Sequence, residues 1–424
     1  MNGGLSMVEM KSGYKMTEVG VIPEDWEVKT LGKLACINGR IGFRGYTVKD
    51  LVRKGEGAIA IGGKHISKNY LDLSDAEYIS WKKYYESPEI MVKQGDIVLA
   101  QRGTLGKSAL IKSDIGPATI NPSLVLINKI KCNNLYLIYN MQSSSVTDYI
   151  LQINSQTSIP MISQKQIEGI KIAIAKLDCE QAAIATALSD VDSLISALTK
   201  KIEKKKAIKQ GLMQQLLTGK KRLPGFNDKW KSMLLGDIAE VKDGTHQTPQ
   251  YVKSGGKPFY SVENVTADDF KNVKHISLEE HKALTSNYRI EKGDVLMTRI
   301  GSIGCCKYVD WDVDASFYVS LALLKINEKY DSKFISYLSN IKSFKEEVML
   351  NSLVFAIPQK INLGNISLIK VYIPTSKAEQ TAIANILSDC DSEIAALEEK
   401  RDKYKEIKQG MMQQLLTGKI RLIK

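Results

Sequence analysis

A single stretch, written twice, constrains this chain more than any other feature. The first copy runs from Glu180 to Leu223 and the second from Glu379 to Leu422, with about two-thirds of the positions identical. The copies agree best at their ends, where Ile208-Lys209-Gln210-Gly211-Leu212-Met213-Gln214-Gln215-Leu216-Leu217-Thr218-Gly219-Lys220 returns as Ile407 to Lys419 with Met411 for Leu212 as the one change. A period this long marks a duplicated half-protein, not a solenoid of short units.

Each copy predicts a long helix. Apolar residues fall at Ile184, Leu188, Val191, Ile195, Leu198 and Ile202, and again at Ile383, Leu387, Cys390, Ile394 and Leu397. Steps of four and three make a coiled-coil seam. The seam weakens at Lys205 and Lys209, and the stripe restarts at Ile208, Leu212 and Leu216, a phase slip that locally rewinds a coiled coil. Asp178 with Gln181, and Ser376 with Glu379, fit capping boxes. Gly219 and Gly418 stand where a left-handed terminal residue is wanted. About 40 residues at 1.5 Å each give a helix of roughly 60 Å. One apolar stripe needs a cover, and the other copy is the nearest candidate, packed antiparallel about a pseudo-twofold axis. Gly211 and Gly410 lie inside the pattern, where glycine costs about 1 kcal/mol against alanine. They signal either a close backbone crossing or plain inheritance from one ancestral half.

The helices punctuate two globular blocks. The expected order is a disordered tail over 1–16, a first globular block over 17–176, a long helix over 177–222, a second block over 223–375 and a second long helix over 376–424. Met16 offers an alternative start. Gly20-Val21-Ile22-Pro23-Glu24-Asp25-Trp26 opens the first block, and Leu223-Pro224-Gly225-Phe226-Asn227-Asp228-Lys229-Trp230 the second; each tryptophan precedes a Leu-Gly pair. Gly95-Asp96 through Arg102-Gly103 matches Gly293-Asp294 through Gly301: a turn, an apolar strand, then an arginine beside a glycine loop. Helical patterns follow near 134–150 and 332–349. The fold class is α/β (α+β), two mixed domains alternating with two long helices.

The formal net charge of +12 and pI near 9.1 favour an acidic partner, most commonly nucleic acid. Six scattered cysteines without a C-x-x-C pair, and four histidines, argue for a reduced cytoplasmic chain without a zinc site. No run of 18 apolar residues is present, and the first 13 residues lack the core of a signal peptide. Phosphate-loop, nucleophile-elbow, zinc-protease and dinucleotide motifs are missing. Gly106-Lys107-Ser108 ends like a phosphate loop but lacks its first glycine, and Asn121-Pro122 continues with Ser123-Leu124 instead of the amino-methyltransferase pattern.

Candidate DNA contacts gather around the glycine loops. They are Arg40, Arg44, Lys64, His65, Gln101, Arg102, Thr104 and Lys107 in block one, and Thr245, His246, Gln247, Arg299, Ser302 and Lys307 in block two. Arginine and glutamine can read guanine and adenine edges, whereas lysines hold phosphate. Arg102 and Arg299 read as equivalents, serving either as base contacts or as internal salt bridges.

Together, Ile22-Pro23-Glu24-Asp25-Trp26, Asp243-Gly244-Thr245-His246-Gln247-Thr248-Pro249, the Gly-Asp-strand-Arg loops, the Glu-Gln-x-Ala-Ile-Ala helix starts and the doubled Gln-Gln-Leu-Leu-Thr-Gly-Lys endings resemble the specificity (S) subunit of type I restriction–modification enzymes. The resemblance covers nearly the whole chain. It implies two target-recognition domains, each reading half of a split double-stranded DNA site, on antiparallel spacers that hold two methyltransferase subunits and recruit restriction subunits. It implies no catalytic or metal site and no cofactor on this chain; S-adenosylmethionine and ATP with magnesium would belong to partners, and no membrane is involved. In the second half Ile373-Pro374 precedes the helix where the first has Ile174-Ala175, which leaves the first boundary open. Half-sites about 1.5 turns of B-DNA apart would match the spacer length. The recognition subunit of a related type II-like system, a free-standing methyltransferase and a scaffold without DNA function are the alternatives.

Overall fold

The computed structural model describes residues 12–67, 70–154, 160–353 and 355–423. The chain forms two compact units whose border crosses both long helices. One unit holds the chain up to Leu198 together with the segment from Lys400 on, and the other holds Thr199–Glu399. Each unit therefore contains one globular block, the start of one long helix and the end of the other.

The blocks repeat one architecture. In the first, Ser108–Leu110, Ile97–Ala100, Leu124–Asn128 and Cys36–Gly39 form an antiparallel sheet in that order. Its counterpart in the second is Cys306–Tyr308, Val295–Thr298, Leu321–Ile326 and Ala239–Asp243. A second sheet in each block includes one parallel pair: Ala118–Ile120 on Gly57–Ile61, and Ser316–Phe317 on Lys257–Tyr260. The central strands Ile97–Ala100 and Val295–Thr298 are buried on both faces, which explains their unbroken apolar runs. The helical patterns that follow are each split in two, as Asn134–Met141 with Ser144–Asn154, and Ser332–Leu338 with Lys342–Leu350.

The long helices run Asp178–Leu216 and Lys377–Leu415. Within the first unit Ile184 and Leu188 pack in one core with Leu415 and Leu416. Within the second, Ile383 and Leu387 share a core with Leu216 and Leu217. The start of one helix thus meets the end of the other in both units, the antiparallel arrangement expected from the duplication. The same polar staple recurs. Tyr139 Oη donates to Asp192, which also pairs with Lys408; Tyr337 Oη donates to Asp391, which pairs with Lys209. Lys205 reaches Glu393 and Lys206 reaches Glu398, so the lysines that interrupt the seam are ion-pair partners.

The helix starts are held by buried polar groups. Gln181 accepts from Asn133 N–H and donates to the Ala175 carbonyl; Gln380 does the same with Asp331 and Pro374. Glu180 is fully buried, accepting from Trp26 Nε1 and pairing with Arg421, which also clamps Asp25. Glu379 is bound by Arg222. These tasks correct the capping-box reading. Gln181 serves the neighbouring block instead of its own helix end, and at the second helix only the Ser376 hydroxyl contact to Glu379 N–H forms.

Gly219 and Gly418 have φ of +70° and +67°, as left-handed caps require. Around Gly211 and Gly410 a Cβ would meet nothing within 4 Å, so among the described residues no backbone crossing requires them. The disordered tail is too long as drawn: Tyr14–Thr17 pairs with Gly20–Pro23, and Tyr14 Oη bonds the Gly418 carbonyl, while residues 1–11 lie outside the described ones. The stretch Asp178–Leu216 contains a window long and apolar enough to cross a membrane by length and composition, but its Ile184 and Leu188 are core residues of a globular unit.

Candidate nucleic-acid interface

Block one carries a cleft of about 590 Å³ between the Gly57–Ile61 strand with the turn that follows it and the glycine loop at 103–106. Gly103 and Gly106 take φ of +75° and +78°, which lets the chain turn tightly and present side chains outward. The cleft brings together five of the eight candidates from this block: Lys64, His65, Arg102, Thr104 and Lys107. Arg102, Thr104 and Lys107 are exposed. Lys64 is held between Glu77, at 3.0 Å, and Asp75, at 3.5 Å. These acids leave Arg102 and Lys107 as the cations best able to meet an added anion.

His65 is 1% exposed. Its Nδ1 accepts from Gly62 N–H at 2.9 Å, which assigns the ring proton to Nε2. Nε2 faces Asp75 at 3.6 Å, beyond hydrogen-bond reach. In block two Asn264 makes the same backward bond, to Ser261 N–H. His65 is thus first a clasp for the turn and second a buried donor beside an acidic rim.

The other three candidates of block one have structural work. Arg40 is 7% exposed and donates to the Ile120 carbonyl and Thr119 Oγ1; burial lowers its pKa. Arg44 lies 3.7 Å from Glu89. Gln101 turns inward to the Pro122 and Leu124 carbonyls.

Block two differs. Arg299 is 8% exposed; it donates to Asp243 at 2.6 Å and to the Ile361 carbonyl. The same Asp243 carboxylate accepts from His246 Nε2 at 2.7 Å. Lys307 pairs with Asp268 and lies over Phe270 and Trp311. Thr245 lines a small pocket of about 110 Å³ with Tyr288 and Arg289. His246, Gln247 and Ser302 are exposed.

The equivalence of Arg102 and Arg299 needs correcting by one residue. The pairing of Ala100 with Leu124 matches that of Thr298 with Leu321, and the bridge from Arg102 to Met161 matches the one from Ile300 to Lys360. Arg299 therefore corresponds to Gln101, and Arg102 to Ile300. One step along an extended chain turns a side chain to the opposite face: Arg102 faces out, whereas Arg299 and Gln101 face in.

Sequence reasoning passed over an exposed aromatic cluster. Trp81 stacks on Tyr85 at 6.2 Å, with Tyr84 edge-on to both and Lys82 and Lys83 on the same short helix. The run Trp-Lys-Lys-Tyr-Tyr was its visible signal. Among the described residues no cluster of three metal-ligating side chains is found.

The family model described as Type I restriction modification DNA specificity domain matches residues 23–210 and again 227–409. Two Methanocaldococcus jannaschii proteins align along nearly the whole chain. One, named provisionally the type I restriction enzyme MjaX specificity subunit, is 28% identical over 442 residues, covering 97% of each chain. The other, the type I restriction enzyme MjaVIII specificity subunit, is 26% identical over 447 residues, covering 95% of this chain and 94% of its own. Among solved structures, the S subunit of a type I restriction–modification system from M. genitalium aligns with a TM-score of 0.59 at 16% identity, covering 92% of this chain and 96% of that one. A chain from a study of type I complex assembly and conformational transition gives 0.56 at 16%, covering 94% and 99%. At such identities the structural likeness speaks for the fold.

Proposed function

This chain belongs to the type I restriction modification DNA specificity family, and from that premise we propose that each of its two blocks reads one half of a split, asymmetric DNA site. It is a type I specificity subunit, the component that gives a restriction–modification complex its DNA sequence. The observation that carries the two-part reading is the double family match, one per block, on blocks with the same sheet order but different loop chemistry. Base and phosphate contacts in block one come from the cleft side chains Arg102, Thr104 and Lys107, with Lys64 and His65 shaping its wall. In block two they come from Thr245, His246, Gln247 and Ser302.

The chemistry lies elsewhere in the complex. Two methyltransferase subunits bring S-adenosylmethionine and restriction subunits bring ATP and magnesium, while this cytoplasmic chain selects the site. The test is a genome-wide map of methylated bases in cells with and without this chain. A split motif that vanishes with the chain is the expected result; unchanged methylation alongside an expressed methyltransferase partner would refute it. Adding whole turns to one long helix should widen the unread gap and leave both half-sites unchanged.

A further inference from the structure

We propose that the tip of block two that carries Phe355 and Ile357 is an apolar wedge that enters the DNA stack, with Phe355 as the inserting side chain. This rests on the DNA-recognition reading above. Phe355 is 97% exposed, Ile357 99% and Leu350 77%. Large apolar side chains so free of their own protein need a cover.

The surroundings select the cover. The tip is rooted in the glycine loop of block two: Gly301 N–H donates to the Gln359 carbonyl, Ile361 N–H to the Arg299 carbonyl, and Leu353 N–H to the Lys360 carbonyl. It therefore shares a backbone framework with Ser302 at the proposed DNA face. Exposed Lys360 stands at its root, and Lys342 on the preceding helix is 89% exposed, beside Glu346 at 3.4 Å. Apolar residues flanked by cations suit insertion between base steps while the cations hold phosphate. A protein partner fits less well. An aromatic side chain buries about 150–250 Å², so Phe355 with Ile357 and Leu350 falls short of the roughly 800 Å² per partner of a stable interface. Between Asn154 and Pro160 the sequence of block one holds no aromatic residue. The wedge belongs to one half-site only.

The test uses the full chain with its methyltransferase partner and duplexes carrying the mapped split motif, with 2-aminopurine placed step by step. This base brightens when unstacked. The expected result is one bright step, in the half-site read by block two, that is lost with Phe355→Ala together with a roughly tenfold or greater fall in affinity. Phe355→Leu should retain part of both. Binding without brightening at any step overturns the wedge and leaves DNA recognition standing; absence of sequence-selective binding overturns both. Loss of methyltransferase capture by Phe355→Ala, with the bright step kept, would assign the tip to a protein contact instead.

Discussion

The two glycine loops follow the same backbone course, yet they place their arginines oppositely. Arg102 follows its strand by two positions and emerges into an open cleft; Arg299 follows by one and is sealed against Asp243. The residue type and its neighbourhood in sequence are alike. The difference lies in parity along an extended backbone, which decides whether a cation is available to DNA or is part of the fold.

The largest expected effect comes from deleting the buried member. Arg299→Ala leaves Asp243 inside block two with only the exposed His246 beside it and should cost about 3 kcal/mol of stability, read by chemical denaturation. Arg102→Ala should leave stability within about 0.5 kcal/mol. If both destabilise alike, the contrast fails. On DNA the order reverses. Arg102→Ala should weaken binding to the mapped site by about 1–3 kcal/mol if it reads a base, and relax specificity there. Lys107→Ala should instead weaken binding across sequences and reduce the salt slope by about one.

A smaller effect separates the blocks from the helices. Gly211→Ala and Gly410→Ala each introduce a methyl group into open space and should stabilise the isolated chain by about 1 kcal/mol. A loss of stability would reinstate a close packing role.

The smallest concerns acid. In block two the Lys257 hydrogen bond, aided by His281, holds Asp314 below its ordinary 3.8. A carboxylate depressed in the folded state contributes stability above its unfolded pKa and loses it as pH falls through the folded value. Asp314→Asn should therefore matter at neutral pH and cease to matter well below pH 3.8, as read from melting curves across acid pH.

Much of this was legible beforehand because it depends on local rules. The seam residues, the glycine caps, the buried central strands and the repeated entry tryptophans are set by periodicity and backbone conformation, and Ile184, Leu188, Gly219 and Trp26 behave as those rules require. The candidate site was legible only as a neighbourhood. Arg102, Thr104 and Lys107 line the open cleft, but Arg40, Gln101, Arg299 and Lys307 were indistinguishable from them until their partners were placed. No local pattern announces that Asp243 will sit beneath Arg299, because the two are joined by strands far apart in the chain.

By itself the sequence determined the duplication, the two long helices and the class of molecule, because these are written as repeats and periods that survive without coordinates. Only the tertiary structure decided which cations face outward and which polar groups are spent on the fold. A side chain's free energy depends on what distant strands bring to it, and the sequence holds that information only through the packing it produces.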